Sequence, residues 1–147
     1  MSNIQFRIRA HKISVIRKYI ECGNIDAKVR CSANLVTSTI INIIDNSIWW
    51  QNYGEIKKKK IFIDITEDHP GYISILIADN GPGFTIPPEE AVKPFITDKP
   101  GGMGLGLHLA YEVMNGQKGE LIFPEANDFH IPDEFKNGAI LLLAFKR

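Results

Sequence analysis

Residues 101–110 read GGMGLGLHLA, four glycines in six positions running straight into apolar residues at helical spacing. Glycine in a helix interior costs about 1 kcal/mol relative to alanine, so this helix start gives up stability. One reading is a flexible turn before a helix. The other is an anion cradle, in which Gly102, Gly104 and Gly106 turn backbone N–H groups toward negative charge and the helix macrodipole assists. Leu105, Leu109 and Val113 follow one turn apart, and Asn115-Gly116 is a helix stop signal. The stretch lacks the Lys-Ser/Thr ending of a Walker loop. A proline-rich loop precedes it, not the strand that a Rossmann fingerprint requires.

Two further stretches upstream carry chemistry. DNGPGF at 79–84 closes an apolar strand, and Gly81 and Gly83 leave room for a backbone to pass close to a flat ligand. Asp79 is placed to accept a hydrogen bond from an exocyclic amine such as that of adenine; an ordinary β-turn also fits these residues. Farther upstream, Asn42 and Asn46 are four apart in an isoleucine-rich segment, Ala33 to about Trp50, whose length and polar spacing predict a helix. Asparagine is a poor helix-interior residue, and its amide oxygen is a hard ligand suited to magnesium. A plain solvated helix face is the competing reading.

The rest of the chain frames these motifs. IFIDIT (61–66) and YISILIA (72–78) alternate, with EDHPG between them, and predict a hairpin. ELIF and AILLLAF predict two more strands, the last buried on both faces. Residues 4–9 and 25–31 read as strands, 12–22 as a short helix, and 85–101 as a loop. The order predicts an α/β (α+β) fold, a two-layer sandwich with a mixed, largely antiparallel sheet.

Seventeen basic and seventeen acidic residues cancel, which gives no electrostatic footprint for nucleic acid or a membrane surface. The longest apolar run, Ala139–Phe145, falls far short of the ~20 residues of a membrane span. Cys22 and Cys31 form no ligand cluster and are expected as buried, reduced thiols in a cytoplasmic setting. Of the histidines, His69 and His130 are expected to face solvent and His108 to pack along its helix, while Trp49 and Trp50 fit core, an interface or a ligand pocket, with core the default for tryptophan. The chain is expected to be one domain over 1–147, with core motifs in 33–110 and a linker or N-terminal element over 1–24.

Taken in order, the three motifs resemble the Bergerat-fold ATPase superfamily of DNA gyrase, heat-shock chaperones, histidine kinases and mismatch-repair ATPases. NIIDNS (42–47) is similar to the N box, DNGPGF to the first glycine box, and KPFITDKPGGMGLGLHLA (93–110) to the lid and second glycine box. The resemblance implies ATP and Mg²⁺ as ligands. Asn46 would hold the metal, Asn42 would support it, and both would serve catalysis. Asp79 would hold the adenine amine, and Gly81 and Gly83 would allow close approach. Phe95, Lys99, Gly102, Gly104, Leu105 and Gly106 would line the lid and the phosphates.

Asn42 stands where gyrase-like members carry a water-activating glutamate, so the histidine-kinase branch fits best. That branch implies transfer of the γ-phosphoryl group to a histidine on another domain of a longer chain or on a partner. The parent could be membrane-anchored, and any homodimer would form through regions outside this chain. Ser38, Trp49 and Gly138-Ala139 depart from the kinase pattern, and residues 124–137 read as an insertion. These departures keep a second reading open, an ATP-binding regulatory or interaction module without phosphotransfer.

Overall fold

The computed structural model describes residues 14–17, 29, 31–84, 86–94 and 106–147. Strand β1 (Ser14–Arg17) is followed by helix α1 (Ala33–Tyr53), strands β2 (Lys60–Thr66) and β3 (Tyr72–Asp79), and a short helix α2 (Pro88–Ala91). Helix α3 (Gly106–Gly116), strand β4 (Gly119–Ile122), a 3₁₀ turn at Asp133–Phe135 and strand β5 (Ile140–Lys146) complete the order. The sheet runs β1-β2-β3-β5-β4. β1 pairs with β2 in parallel, and the other pairs are antiparallel. The mixed, largely antiparallel sheet and two-layer form match the expectation.

Side-chain alternation along the strands builds a core on each face of the sheet. On one face Ile61, Ile77, Leu141, Leu143 and Phe145 meet Val36, Ile43, Ile44 and Ile48 of α1 and Met114 of α3. The isoleucines of the hairpin share this face as expected, and their register runs from Ile61 opposite Asp79 to Thr66 opposite Ser74. On the other face Phe62, Leu76, Ala78, Ile140 and Leu142 pack against Ile131 and Phe135. β5 is therefore buried on both sides, as its unbroken apolar run predicts.

Several expectations are corrected. Residues 14–17, read as part of a short helix, form a strand, because pairing along β2 satisfies a row of backbone groups that a helix there would leave open. The segment 85–101 contains α2, with Pro88 in its first turn and two glutamates there to favour the dipole. The segment 124–137, read as an insertion, also carries core, since Phe135 is fully buried and closes the second core. Cys31 is exposed rather than buried.

His69 is half-buried, stacked on Tyr72 and 3.8 Å from a Glu120 carboxylate oxygen, so it does not simply face solvent. Trp49 and Trp50 are half-exposed and form an aromatic group with Tyr53 at the end of α1. His130 is exposed, as expected. The expected strand at 4–9 and Cys22 lie outside the described residues. Of 25–31 only 29 and 31 are described, and neither is in a strand. Among the described residues no helix is long and apolar enough to cross a membrane.

If 124–137 is a true wall of the second core, Phe135→Ala lowers the unfolding free energy by about 3–5 kcal/mol. Urea denaturation checks this. A loss within about 0.5 kcal/mol, the size usual for surface sites, would contradict a core role for the segment.

Candidate functional site

The end of β3 is the chemical focus. Asp79 is 2% exposed, although it is a carboxylate. Its Oδ1 accepts from the backbone N–H of Gly81 at 2.9 Å and of Ala139 at 3.2 Å. The Ser47 side chain, reaching across from α1, also favours the charged form of this carboxyl. Burial raises the Asp79 pKa above its ordinary value of 3.8, and Ser47, Gly81 and Ala139 hold it back in part. An ionised carboxylate has about four acceptor positions. Both backbone donors use Oδ1, so acceptor capacity remains for an incoming donor.

Backbone packing brings the segment before β5 hard against this aspartate. The Asp79 N–H donates to the Ala139 carbonyl at 3.0 Å. A Cβ placed on Gly138 would lie 1.8 Å from the Asp79 carbonyl oxygen, so no other residue fits there. Gly83 adopts φ 85°, and a Cβ on it would lie 2.9 Å from the Asn137 carbonyl oxygen. Gly83 is thus needed for the chain's own packing, a reason distinct from the ligand approach that its motif suggests. Gly81 is tight against the Asp79 carboxylate, 3.1 Å from Oδ1 to an added Cβ.

The helix side is built from α1. Asn42 is exposed and Asn46 half-buried, one turn apart on a shared flank. The adjacent line of the helix, Ile43, Ser47 and Gln51, is buried and faces the sheet. Gln51 Nε2 donates to the Lys60 carbonyl and to Asn80 Oδ1, both at 2.8 Å. Asn80 Oδ1 also accepts from the Lys60 N–H at 2.9 Å, and Asn80 Nδ2 donates to the Lys58 carbonyl at 2.8 Å. Asn46 is therefore adjacent in sequence to the residue that touches Asp79, so the structure brings the asparagine helix and the aspartate turn together.

Of the other expected site residues, Gly106 opens α3. Phe95, Lys99, Gly102, Gly104 and Leu105 lie outside the described residues. At the lid's root, His108 Nδ1 sits 3.1 Å from the Val92 carbonyl oxygen, so it joins α3 to the segment after α2 as well as lying on its own helix. Among the described residues no group of three or more His, Cys, Asp or Glu side chains could hold a metal ion. A divalent cation at Asn46 would need most of its ligands from a bound phosphate and water, which is how magnesium is commonly held.

Ser47, Gln51 and Asn80 were not singled out from the sequence. The first two carry a signal, because they repeat the four-residue polar spacing of Asn42 and Asn46 within an isoleucine-rich helix.

The close crossing at Gly138 gives a direct test. Gly138→Ala lowers the unfolding free energy by about 3 kcal/mol or more, because its clash is with backbone that cannot swing aside. Gly116→Ala, with nothing within 4 Å, is neutral or stabilising by up to about 1 kcal/mol. Thermal melts of the two variants side by side check the contrast.

The family model described as "Histidine kinase-, DNA gyrase B-, and HSP90-like ATPase" matches residues 31–140. The chain is 32% identical over 83 residues to the C4-dicarboxylate transport sensor protein DctB of Rhizobium meliloti (strain 1021), covering 56% of this chain and 13% of that protein. It is 31% identical over 98 residues to sporulation kinase E of Bacillus subtilis (strain 168), covering 64% of this chain and 12% of that protein. The chain thus spans only a small part of the length of these relatives.

Among solved structures, the catalytic domain of the histidine kinase ThkA aligns with a TM-score of 0.70 at 21% identity, covering 97% of this chain and 86% of that one. A mycobacterial sensor histidine kinase, MprB, aligns with a TM-score of 0.69 at 20% identity, covering 97% and 87%. A family match across most of the chain, on a fold shared with these structures, settles the family: this chain belongs to the histidine kinase-, DNA gyrase B- and HSP90-like ATPases.

Proposed function

We propose that this domain binds MgATP and presents its γ-phosphoryl group to a histidine on another domain of a longer chain or on a partner. The observation that carries the reading is Asp79, a carboxylate kept buried with two backbone donors on one of its oxygens. A group held at that desolvation cost is a functional candidate, and an exocyclic adenine amine is the donor it suits. Asn46 supplies a neutral oxygen for magnesium, and Asn42 supports it one turn away. Gly81, Gly83, Gly102, Gly104 and Gly106 let backbone approach the ligand, with Phe95, Lys99 and Leu105 completing the lid side.

Magnesium, when bound, supplies charge neutralisation at the β- and γ-phosphates. The chain's own part is to hold the base, align the phosphate chain and exclude water, so that an acceptor imidazole nitrogen bonds to the γ-phosphorus as the bridging P–O bond to ADP breaks. A second reading, an ATP-binding switch that transfers nothing, is favoured by one observation. Trp49, three residues after Asn46, is engaged in an aromatic group where a phosphate-contacting cation is expected. Incubation with MgATP and a separate phosphoacceptor domain divides the two: phosphohistidine on the acceptor supports transfer, and nucleotide binding without it supports the switch.

Calorimetry with the non-hydrolysable analogue AMP-PNP tests the pocket. Binding is expected to strengthen with Mg²⁺, to lose that gain in Asn46→Ala, and to weaken roughly 10- to 100-fold in Asp79→Asn, the scale of a hydrogen bond to a charged acceptor. A folded chain that binds no adenine nucleotide would overturn the proposal.

The pH dependence has a defined sign. Protonated Asp79 loses acceptor capacity, so affinity falls on acidification with a midpoint above the ordinary carboxylate value of 3.8. For the ligand-free fold, the native state binds this proton more tightly than the unfolded chain. Stability therefore drops as pH rises from about 3.8 through the raised pKa, and the loss is complete above it. Asp79→Asn removes that penalty. At neutral pH its ligand-free melting temperature is expected to equal or exceed that of the parent, and a clear fall would contradict this.

A further inference from the structure

Three polar side chains on α1 are buried, Thr39, Ser47 and Gln51, eight and four residues apart on the sheet-facing line of the helix and 3%, 7% and 0% exposed. An unpaired polar group there would be strongly disfavoured. Thr39 donates back to the Leu35 carbonyl of its own helix at 2.8 Å. The other two turn to consecutive residues of one turn: Ser47 acts on Asp79, whose charged form it favours, and Gln51 donates to Asn80 Oδ1 at 2.8 Å. The Gln51 amide also bonds the Lys60 carbonyl at 2.8 Å, and Asn80 in turn holds the Lys60 N–H and the Lys58 carbonyl. Helix α1, the entry to β2 and the turn after β3 are thereby closed into one hydrogen-bonded unit.

The orientation of the Gln51 amide is fixed, because the Lys60 carbonyl and Asn80 Oδ1 both require donors. Its Oε1 is consequently buried with no partner. An apolar residue would fill this position without stranding an oxygen, so the two directed bonds, rather than packing, distinguish glutamine here. Asn46 precedes Ser47 directly, so a rotation or slide of α1 that moved Asn46 would carry Ser47 away from Asp79 and strain the Gln51–Asn80 bond one turn on.

We propose that Ser47 and Gln51 are positioning residues that lock the helix flank bearing Asn42 and Asn46 to the turn bearing Asp79, so that the metal-phosphate end and the base end of one nucleotide meet a single rigid unit. The inference rests on the nucleotide reading above. Two half-sites at fixed spacing reinforce each other without an ordering cost at binding, whereas a loose joint loses part of that reinforcement. The joint acts on the coupling between the two ends more than on either end alone. A defect that merely depleted the folded population would weaken all ligands by one factor.

The experiment measures dissociation constants for adenosine and for AMP-PNP with and without Mg²⁺, on the whole chain and on three variants. In Gln51→Met the magnesium-dependent gain in AMP-PNP affinity is expected to fall about tenfold, within the usual range of coupling between sites, and by more than adenosine affinity falls. Ser47→Ala is expected to lose the gain likewise, and Ser47→Thr, which keeps the hydroxyl, to retain it. If Gln51→Met does not fold, the Ser47 pair decides. Binding by the parent with the gain unchanged in the folded Met and Ala variants would overturn this inference alone. A parent chain that binds no AMP-PNP would overturn the nucleotide reading and this inference with it.

Discussion

The carboxylate of Asp79 is where three separate parts of the chain are fastened. It receives an N–H from Gly81 in its own turn and an N–H from Ala139 at the entry to β5, and the Ser47 side chain of α1 favours its charge. β3 and β5 are the central neighbours of the sheet, so the group that ends one and steadies the start of the other also sets how α1 lies over them. Burial opposes the charge, while Ser47 and the backbone donors of Gly81 and Ala139 favour it. Burial is the larger effect, so the pKa stays raised. A surface aspartate would bond an amine only weakly, in competition with water. This one is already stripped of water by the fold.

The second core explains how the turn and the entry to β5 can be held so closely. Phe135 and Ile131 anchor the segment before β5 against Phe62, Leu76 and Leu142, and Lys60 Nζ meets Glu134 at 2.7 Å at its edge. That ion pair is partly exposed and contributes little by itself. The aromatic contact between Phe62 and Phe135, with centroids 5.6 Å apart, lies within buried apolar surface and does more. Once Phe135 is seated, Gly138 crosses the Asp79 backbone with no room for a side chain. Packing on the face away from the helices thus reaches the site through three residues of chain.

The elements with long, regular patterns were legible in the sequence. The hairpin of β2 and β3, helix α1 and the doubly buried β5 follow from alternation, length and an unbroken apolar run. What was hidden depended on partners distant in sequence. Ser14–Arg17 is too short to declare itself, and only the open side of β2 makes it a strand. In the segment 124–137, Ile131 and Phe135 are isolated apolar residues among prolines and charges, so nothing local reveals a core wall. Asp79 stood out at the end of its strand, followed by glycines. Two of its partners are backbone N–H groups, which no residue pattern encodes, and Ser47 was overshadowed by the neighbouring asparagines.

Hydrogen exchange at the amides of Gly81 and Ala139 tests most directly whether Asp79 is the common fastening. Both N–H groups should exchange slowly and with similar protection in the parent chain, as donors to one buried oxygen. In Asp79→Ala both should accelerate together by a large factor, while amides in the middle of β3 and β5 keep their protection. If the two amides are unprotected in the parent, or respond independently in the variant, the carboxylate does not join the turn to β5, and the site would have to be held together by packing alone.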